Sequence, residues 1–397
     1  MDRVRLKDIA ESVGCSIAVA SHVLNHSTGN ISCRDELRER ILRRAGELHY
    51  APHYASRALR TRRSATLGVY VPSRAGASAD EAGFYESRIL RGVEEVCRDA
   101  SYDLLLLGPG GGRDAEECAA KLTGRRIDGL VLVRVPESAA WVAPLVERDA
   151  NAVAVNYFGP APVDAINFDV REAALLAARA LVRMGHRRIG CLDAPPSGPD
   201  AGGGVLSDGF VAALAELGAP ADPRWTLAAE PAEAARAFAA AAPAERPTAM
   251  ACASDLLAVR FLMELRRLGV ECPRDVSLMG MGDGPLCETV FPTLSSVREP
   301  LSEMGAEAAR RALRRFEERL AEDGAEPASP GPLPTELRTR GRRGRRPTAV
   351  AAAIAEEAET RARLSPPARR PPARERWLRR ARPELVLRES SAPPLAP

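Results

Sequence analysis

Apolar residues recur at helical spacing through the first 50 positions, and from Thr66 onward they collect into short runs separated by longer amphipathic segments. Leu6, Ile9, Ala10 and Val13 form one helical stripe, which Gly14 breaks. Ser16 stands where a second helix needs an N-cap, and Ala20, Val23 and Leu24 give that helix its apolar face. Ser32 is placed to cap a third helix with the stripe Leu37, Ile41, Ala45 and Leu48. Helix, glycine turn, short helix and supporting helix make a helix-turn-helix pattern. Further on, the runs TLGVYV, YDLLLL, GLVLV, AVAVNY, RIGCLD, TAMACAS and VSLMGM alternate with helical segments such as EAALLAARALVRMG. Near-continuous apolar strands alternating with helices predict parallel sheets covered on both faces, and the length of this region suits two lobes.

The second helix, IAVASHVL, carries neither a full apolar face nor a fully charged one. A recognition helix buries one face against its own domain and slides the other into the major groove. Ile17 and Ala18 lie at its start, pointing away from the stripe, and suit thymine methyl groups. Ser16, Ser21 and Asn25 are short polar groups able to reach phosphates or base edges. His22 is expected to be the longest polar side chain on the outer face. The same residues are also compatible with a small core helix holding a satisfied histidine.

Charge sharpens this picture. Residues 1–66 hold 12 basic and 7 acidic side chains, residues 67–324 hold 28 and 38, and residues 325–397 hold 16 and 8. A small basic head on a larger acidic body is the layout of a nucleic-acid module joined to a second unit. The N-terminal MDRVRLKD has charges and no apolar core, so no signal peptide is expected. No membrane-length apolar run occurs. Eight cysteines are scattered without a C-x-x-C pair, which predicts reduced thiols and a cytoplasmic protein. The glycines of LLLLGPGGGR do not complete a dinucleotide fingerprint, and neither a phosphate-binding P-loop, H-E-x-x-H nor G-x-S-x-G occurs. Four of the five histidines (22, 26, 49 and 53) lie in the head, leaving His186 for the body. The motifs therefore call for no enzyme chemistry, no metal and no cofactor.

The ordered motif LKDIAESVGCS, SHVLN and RERILRRAGELHYAPHYASRALR resembles the head of the LacI/GalR (lactose repressor) family of bacterial transcriptional regulators. Arg5 departs from it, standing where the family has a threonine cap, which predicts a frayed start to the first helix. Pro52 suits the first turn of a further short helix, marginal on its own in water. The resemblance implies that this segment, residues 51–64, folds as a hinge helix on operator DNA. Leu59 would then wedge into the minor groove, and Ser56 and Arg60 would lie against groove edges and phosphates.

The body resembles the family's effector core, which is similar to periplasmic sugar-binding proteins, through segments such as FYESRILRGVEE, MGHRRIGCLD and PTAMACASDLLAVRFLMELRRLGVECPRDVSLMGMGD. The resemblance implies an effector cleft between lobes, bordered by Phe84, Tyr85, Asn156, Asp169, Ser254, Asp255 and Asp283. It places crossings between lobes near 158–169, near 291–297 and past Arg319. Leu206, Gly282 and Ala82-Gly83 replace the family's arginine, aspartate and Asn-Pro, so simple monosaccharides are expected to bind weakly or not at all.

The expected organisation is an all-α helix-turn-helix head at 1–50, the hinge at 51–64, and an α/β core of two periplasmic-binding-protein-like lobes at 65–324. The Pro- and Arg-rich stretch 325–382 is expected to be a disordered insertion. PELVLRESSAPP matches the family's final strand better than PTELRTRGRRG, so the core is completed by a strand near 383–391, with Leu385 and Leu387 sharing a face. The expected partners are double-stranded operator DNA, a second copy of the chain and a small-molecule effector, with no membrane. Two other readings remain open: a constitutive DNA-binding regulator whose core only dimerises, and a small-molecule-binding α/β protein.

Overall fold

The computed structural model describes residues 4–24, 33–50, 58, 61–72, 79–108, 114–148, 150–195, 205–323 and 377–394. Three helices form the head: α1 (Leu6–Val13), α2 (Ile17–Leu24) and α3 (Asp35–Glu47). They enclose Ile9, Val13, Val23, Ile41 and Ala45. Gly14 ends α1 with φ 71°, a left-handed conformation that glycine adopts without a Cβ penalty. Fraying at Arg5 is not what the structure shows, because the Asp8 carboxylate accepts from the Arg5 backbone N–H at 2.7 Å. The third helix starts at Asp35, with Arg34 rather than Ser32 at the cap position. Ser32 and residues 51–57 lie outside the described residues.

Two six-stranded sheets form the body. In the first, β1 (Thr66–Tyr70), β2 (Asp103–Leu107), β3 (Gly129–Val133), β4 (Ala152–Val155), β5 (Asp164–Phe168) and β11 (Leu378–Ala381) run in the order β11-β5-β4-β3-β1-β2. In the second, β6 (Ile189–Asp193), β7 (Thr226–Ala228), β8 (Ala249–Cys252), β9 (Ser277–Gly282), β10 (Ser295–Arg298) and β12 (Glu384–Val386) run β12-β10-β9-β8-β6-β7. All pairings are parallel except β10 with β12. Every residue of β1, β3, β4, β5, β6 and β8 is buried, as expected of strands covered by helices on both faces. The helices are α4 (Ala79–Ala100), α5 (Asp114–Thr123), α6 (Val142–Glu147), α7 (Val170–Arg183), α8 (Val205–Glu216), α9 (Pro231–Ala240), α10 (Asp255–Arg267), α11 (Leu286–Thr289) and α12 (Leu301–Glu322). No described helix is long and apolar enough to cross a membrane.

Among the described residues the chain crosses between lobes at Asp169, at Glu299-Pro300 and at Arg382-Pro383. The second crossing therefore falls after β10 and not at 291–297, because residues 295–298 are themselves a strand of the second sheet. The C-terminal boundary also moves. The strand near 384 is present, but residues 378–381, assigned above to the insertion, form an edge strand of the first lobe. Asp164 provides the physical reason. Its carboxylate accepts from the Trp377 backbone N–H at 3.0 Å and from Arg311 at 2.9 Å, and the Arg311 guanidinium lies 5.7 Å from the centre of the Trp377 ring. Leu385 packs on the core, whereas Leu387, one residue beyond β12, is half exposed, so the two do not share a buried face. Farther on, Ser390 Oγ donates to the Leu278 carbonyl and accepts from the Ser295 N–H, both at 2.8 Å, pinning the chain end to the second sheet.

Helix α12 returns to the first lobe and lies along α4. Two glycines allow the approach. A Cβ added at Gly92 would stand 1.8 Å from the Ser302 carbonyl oxygen, and one at Gly305 would stand 2.2 Å from that of Ile89. Both obstacles are backbone, which cannot swing aside. On an exposed helix, Gly→Ala stabilises by about 1 kcal/mol. Here Gly92→Ala and Gly305→Ala are each expected to destabilise the body by about 1–3 kcal/mol through overpacking, measured by denaturant unfolding. A neutral or stabilising result would show that the two helices separate without cost.

Candidate functional site

The outer end of α2 is the first site. Ser16 Oγ accepts from the Val19 N–H at 3.2 Å, capping the helix, while α3 braces the preceding turn through Arg40, which donates to the Val13 carbonyl at 3.0 Å. Ser16, Ile17 and Ala18 are exposed, with Ile17 half accessible despite its apolar side chain. Ser21 is partly covered. His22 is only 9 % exposed, which corrects the expectation that it leads the outer face. Helix α2 packs against both α1 and α3, and its last turn is enclosed, so the surface free to meet a partner is its N-terminal turn. Asn25, Ser56, Leu59 and Arg60 lie outside the described residues.

The second site is at the carboxyl ends of the strands, where the chain crosses between lobes, the place where open α/β sheets form crevices. Asn156 follows β4 with φ 53° and turns its amide inward. Its Nδ2 donates to Glu299 Oε1 at 2.8 Å and to the Tyr85 hydroxyl, and its Oδ1 accepts from the Phe168 N–H at 2.7 Å. The Tyr85 hydroxyl also donates to Glu299 Oε1 at 3.3 Å. Arg134, at the end of β3, lies over the Tyr85 ring at 4.3 Å. Burial raises the pKa of the Glu299 carboxyl, opposed by its bond from Asn156 and the charge of Arg134, and burial holds the Tyr85 phenol well above its ordinary value.

Arg88 of α4 reaches across the crevice. Its guanidinium donates to the carbonyls of Gly282 and Asp283 at 3.1 and 3.2 Å, joining the first lobe to the end of β9 in the second. Phe84, less than half exposed, stands against Gly284 from the same side, since a Cβ there would meet its ring at 2.9 Å. Gly282 has φ 121°, and a Cβ on it would approach the Asp255 carboxylate at 3.1 Å. The backbone path and the nearby carboxylate therefore both disfavour an aspartate at that position.

The expected cleft residues divide accordingly. Tyr85 and Asn156 come together, but around Glu299. Asp255 is buried, accepting from Ser296 Oγ at 2.6 Å and from the Gly284 N–H at 2.8 Å. Ser254 caps α10 through the Leu257 N–H. Asp283 is paired with Arg388 of the C-terminal segment at 2.8 Å. Asp169 caps α7 through the Glu172 N–H and is held by Arg380 at 3.1 Å. Asn156, Asp169, Asp255 and Asp283, expected to border the effector cleft, each have partners from this chain. The arginines 88, 134 and 380 and Glu299 were missed. The only signal for Glu299 was a carboxylate directly before a proline between strand-like and helix-like runs. Beneath the crevice in the second lobe, a cavity of about 10 Å³ is lined by Cys191, Ser207, Phe210, Cys252 and Met281, with room for a water at most.

Burial pushes the Asp255 carboxyl up to about 6, against the opposing bonds from Ser296 and Gly284. A carboxyl whose pKa rises on folding favours the native state below its unfolded value, about 4, and loses that contribution as pH climbs through the folded value. Stability of the wild type relative to Asp255→Asn is therefore expected to fall by about 3 kcal/mol between pH 4 and pH 7. Parallel denaturant titrations across that range measure it. A pH-independent difference would mean that Asp255 titrates alike in both states.

Comparison with known proteins agrees with this architecture. A family model described as a periplasmic binding protein-like domain matches residues 178–341. The chain is 28 % identical to the ribose operon repressor of Haemophilus influenzae over 326 residues, covering 78 % of this chain and 91 % of that one. It is 26 % identical over 310 residues to the HTH-type transcriptional repressor PurR of Vibrio vulnificus, covering 76 % and 89 %. In fold it matches the Lac repressor dimer bound to operator and the anti-inducer ONPF, with a TM-score of 0.68 at 17 % identity, over 98 % of this chain and 100 % of that one. With its helix-turn-helix head and two-sheet body, the chain is thus similar in sequence to these transcriptional repressors and in fold to the Lac repressor.

Proposed function

We propose that this chain is a cytoplasmic, sequence-specific DNA-binding regulator, a repressor that grips a near-palindromic operator as a dimer and is modulated by a small molecule between its lobes. Its role is regulatory and not enzymatic. The observation that carries the reading is the exposed turn Ser16-Ile17-Ala18 at the start of α2, braced by α3 and joined by a short linker to a two-lobed core. Two heads related by twofold symmetry would present two such turns to successive major grooves. Ser16 would reach phosphates or base edges, and Ile17 and Ala18 would meet thymine methyls. Asn25, Ser21 and the hinge residues Ser56, Leu59 and Arg60 complete the proposed DNA contacts. His22 supports them from inside the head.

Modulation would act through lobe closure, because Arg88 ties the lobes only while β9 stays near α4. An effector entering beside Phe84 and Tyr85 would compete for the groups that Arg88, Asn156 and Asp283 now hold. The second reading, a constitutive regulator, is favoured by how completely those groups are satisfied within the chain.

Two experiments test the reading. Ala18→Glu puts a carboxylate on the exposed face, where it repels phosphates and leaves the core of the head untouched. It is expected to weaken binding to a duplex selected from a random pool by at least about tenfold, on the scale of one disfavoured base contact, with an unchanged melting profile. Undiminished binding in a gel-shift titration would remove α2 from the interface. In calorimetry, plain hexoses and pentoses are expected to bind weakly or not at all. Each charged hydrogen bond lost with the family's arginine and aspartate forgoes about 1.5–3 kcal/mol. Micromolar binding of any of them would show that Arg88, Arg134 or Asp283 substitutes for the missing groups.

A further inference from the structure

The first lobe has a second functional end, opposite the crevice. Strands β4, β3 and β1 are adjacent and parallel, in register through Leu130 with Ala152 and Leu67 with Gly129. The segments entering them therefore emerge side by side. Arg148 lies four residues before β4, Arg125 and Arg126 four and three before β3, and Arg62 four before β1. Neighbouring strands are about 4.8 Å apart, so the segments that carry these arginines enter one edge of the lobe side by side. All four are exposed, and none shows a side-chain ion pair or hydrogen bond among the described residues.

This juxtaposition is built into the fold. Asp128, just before β3, accepts from the Ser64 N–H and the Ala65 N–H, both at 2.8 Å, fastening the β3 loop to the segment that carries Arg62. Asn151, just before β4, donates to the Asp128 carbonyl at 2.9 Å and to the Ala312 carbonyl at 2.8 Å. Three loops bearing four arginines are thus tied together by two buried side chains. Of the acidic groups of the same edge, Glu317 is occupied by Arg63 and Asp128 is buried, while Asp103 at the start of β2, Glu147 and Asp323 are exposed.

This edge also receives the linker from the DNA-binding head. Tyr50, the last described residue of the head, and Thr61 are 11 residues apart, a span of at most about 40 Å even if fully extended. We propose that Arg62, Arg125, Arg126 and Arg148 form a second DNA contact, taking backbone phosphates beside the segment read by the head. The proposal rests on the DNA-binding reading above. Guanidinium groups suit phosphate through paired N–H donors, and contacts of this kind carry no sequence preference. They add affinity and salt dependence and leave specificity unchanged.

The test uses the full-length chain, the shortest duplex that the wild type selects from a random pool, and the same duplex extended by about ten base pairs on each side, one helical turn. Arg125→Gln/Arg126→Gln is expected to match the wild type on the short duplex. On the extended duplex the dimer forfeits four such contacts, so its salt slope should fall by about 3.6, and the affinity lost between 50 and 200 mM salt should be about a hundredfold smaller than for the wild type. Arg125→Lys/Arg126→Lys, which keeps the charge, should restore the slope. An unchanged slope on the extended duplex, or equal losses on both duplexes, overturns the second contact while leaving the head's role intact. Failure of the wild type to select any duplex overturns the DNA-binding reading and this contact together.

Discussion

A carboxylate buried where two lobes meet must be compensated where it stands, and the arrangement around Glu299 is the constraint on which the body depends. Removing such a charge from water costs several kcal/mol unless hydrogen bonds and opposite charge replace the solvent. Glu299 receives the Asn156 amide at 2.8 Å and the Tyr85 hydroxyl at 3.3 Å, and feels the charges of Arg134 and Arg88. Those partners come from β4, from α4 and from the end of β3. The crossing can therefore close only if the first sheet, its long helix and the start of α12 are already in place. The glycine contacts at Gly92 and Gly305 bring α12 to within reach of that requirement.

Seen this way, the first lobe is a rigid block with two ends. At the carboxyl ends of its strands lie the crossover carboxylate and Arg88, which grips the second lobe. At the amino ends lie Asp128 and Asn151, which bind the linker from the head to two loops and to α12. Helix α12 takes part in both: its first turn follows Glu299, and its last turns hold Arg63 through Glu317. A change in lobe closure at one end therefore acts on an element that touches the linker at the other. This supplies a contiguous physical route, and a two-state element biased by both ends is what coupling between effector and operator requires.

The same economy of partners governs the polar groups of the crevice. Gly282 follows a backbone path that disfavours an aspartate, and the remaining carboxylates are committed to Ser296, Gly284, Arg388 and Arg380. Their roles are to cap helices and fasten the C-terminal segment.

Much of the fold was legible in the residues because local pattern and burial coincide. The stripes of α1 to α3 and the seven apolar runs each became the helix or strand expected. Their hydrophobic periods reflect faces that any compact arrangement must bury. The strands at 164–168, 226–228, 295–298 and 378–381 were not legible. SSVR and LRRA are short and polar and TLA has three residues, so their strand state depends on the sheet each one joins, whereas DAINF, buried between β4 and β11, interrupts its apolar run with Asp164 and Asn167. The outward assignment of His22 failed for a related reason: a helical stripe tells which face touches one neighbour, not what encloses the other. Tyr85 and Asn156 could be named from their motifs, but their common partner Glu299 lies 143 residues from Asn156 in the chain. The sequence by itself determined most of the elements, the family resemblance and the polarity of head and body. Tertiary structure alone decided which polar side chains were already spoken for, because hydrogen-bond partners are chosen by distance in space, and periodicity along a chain carries no information about that distance.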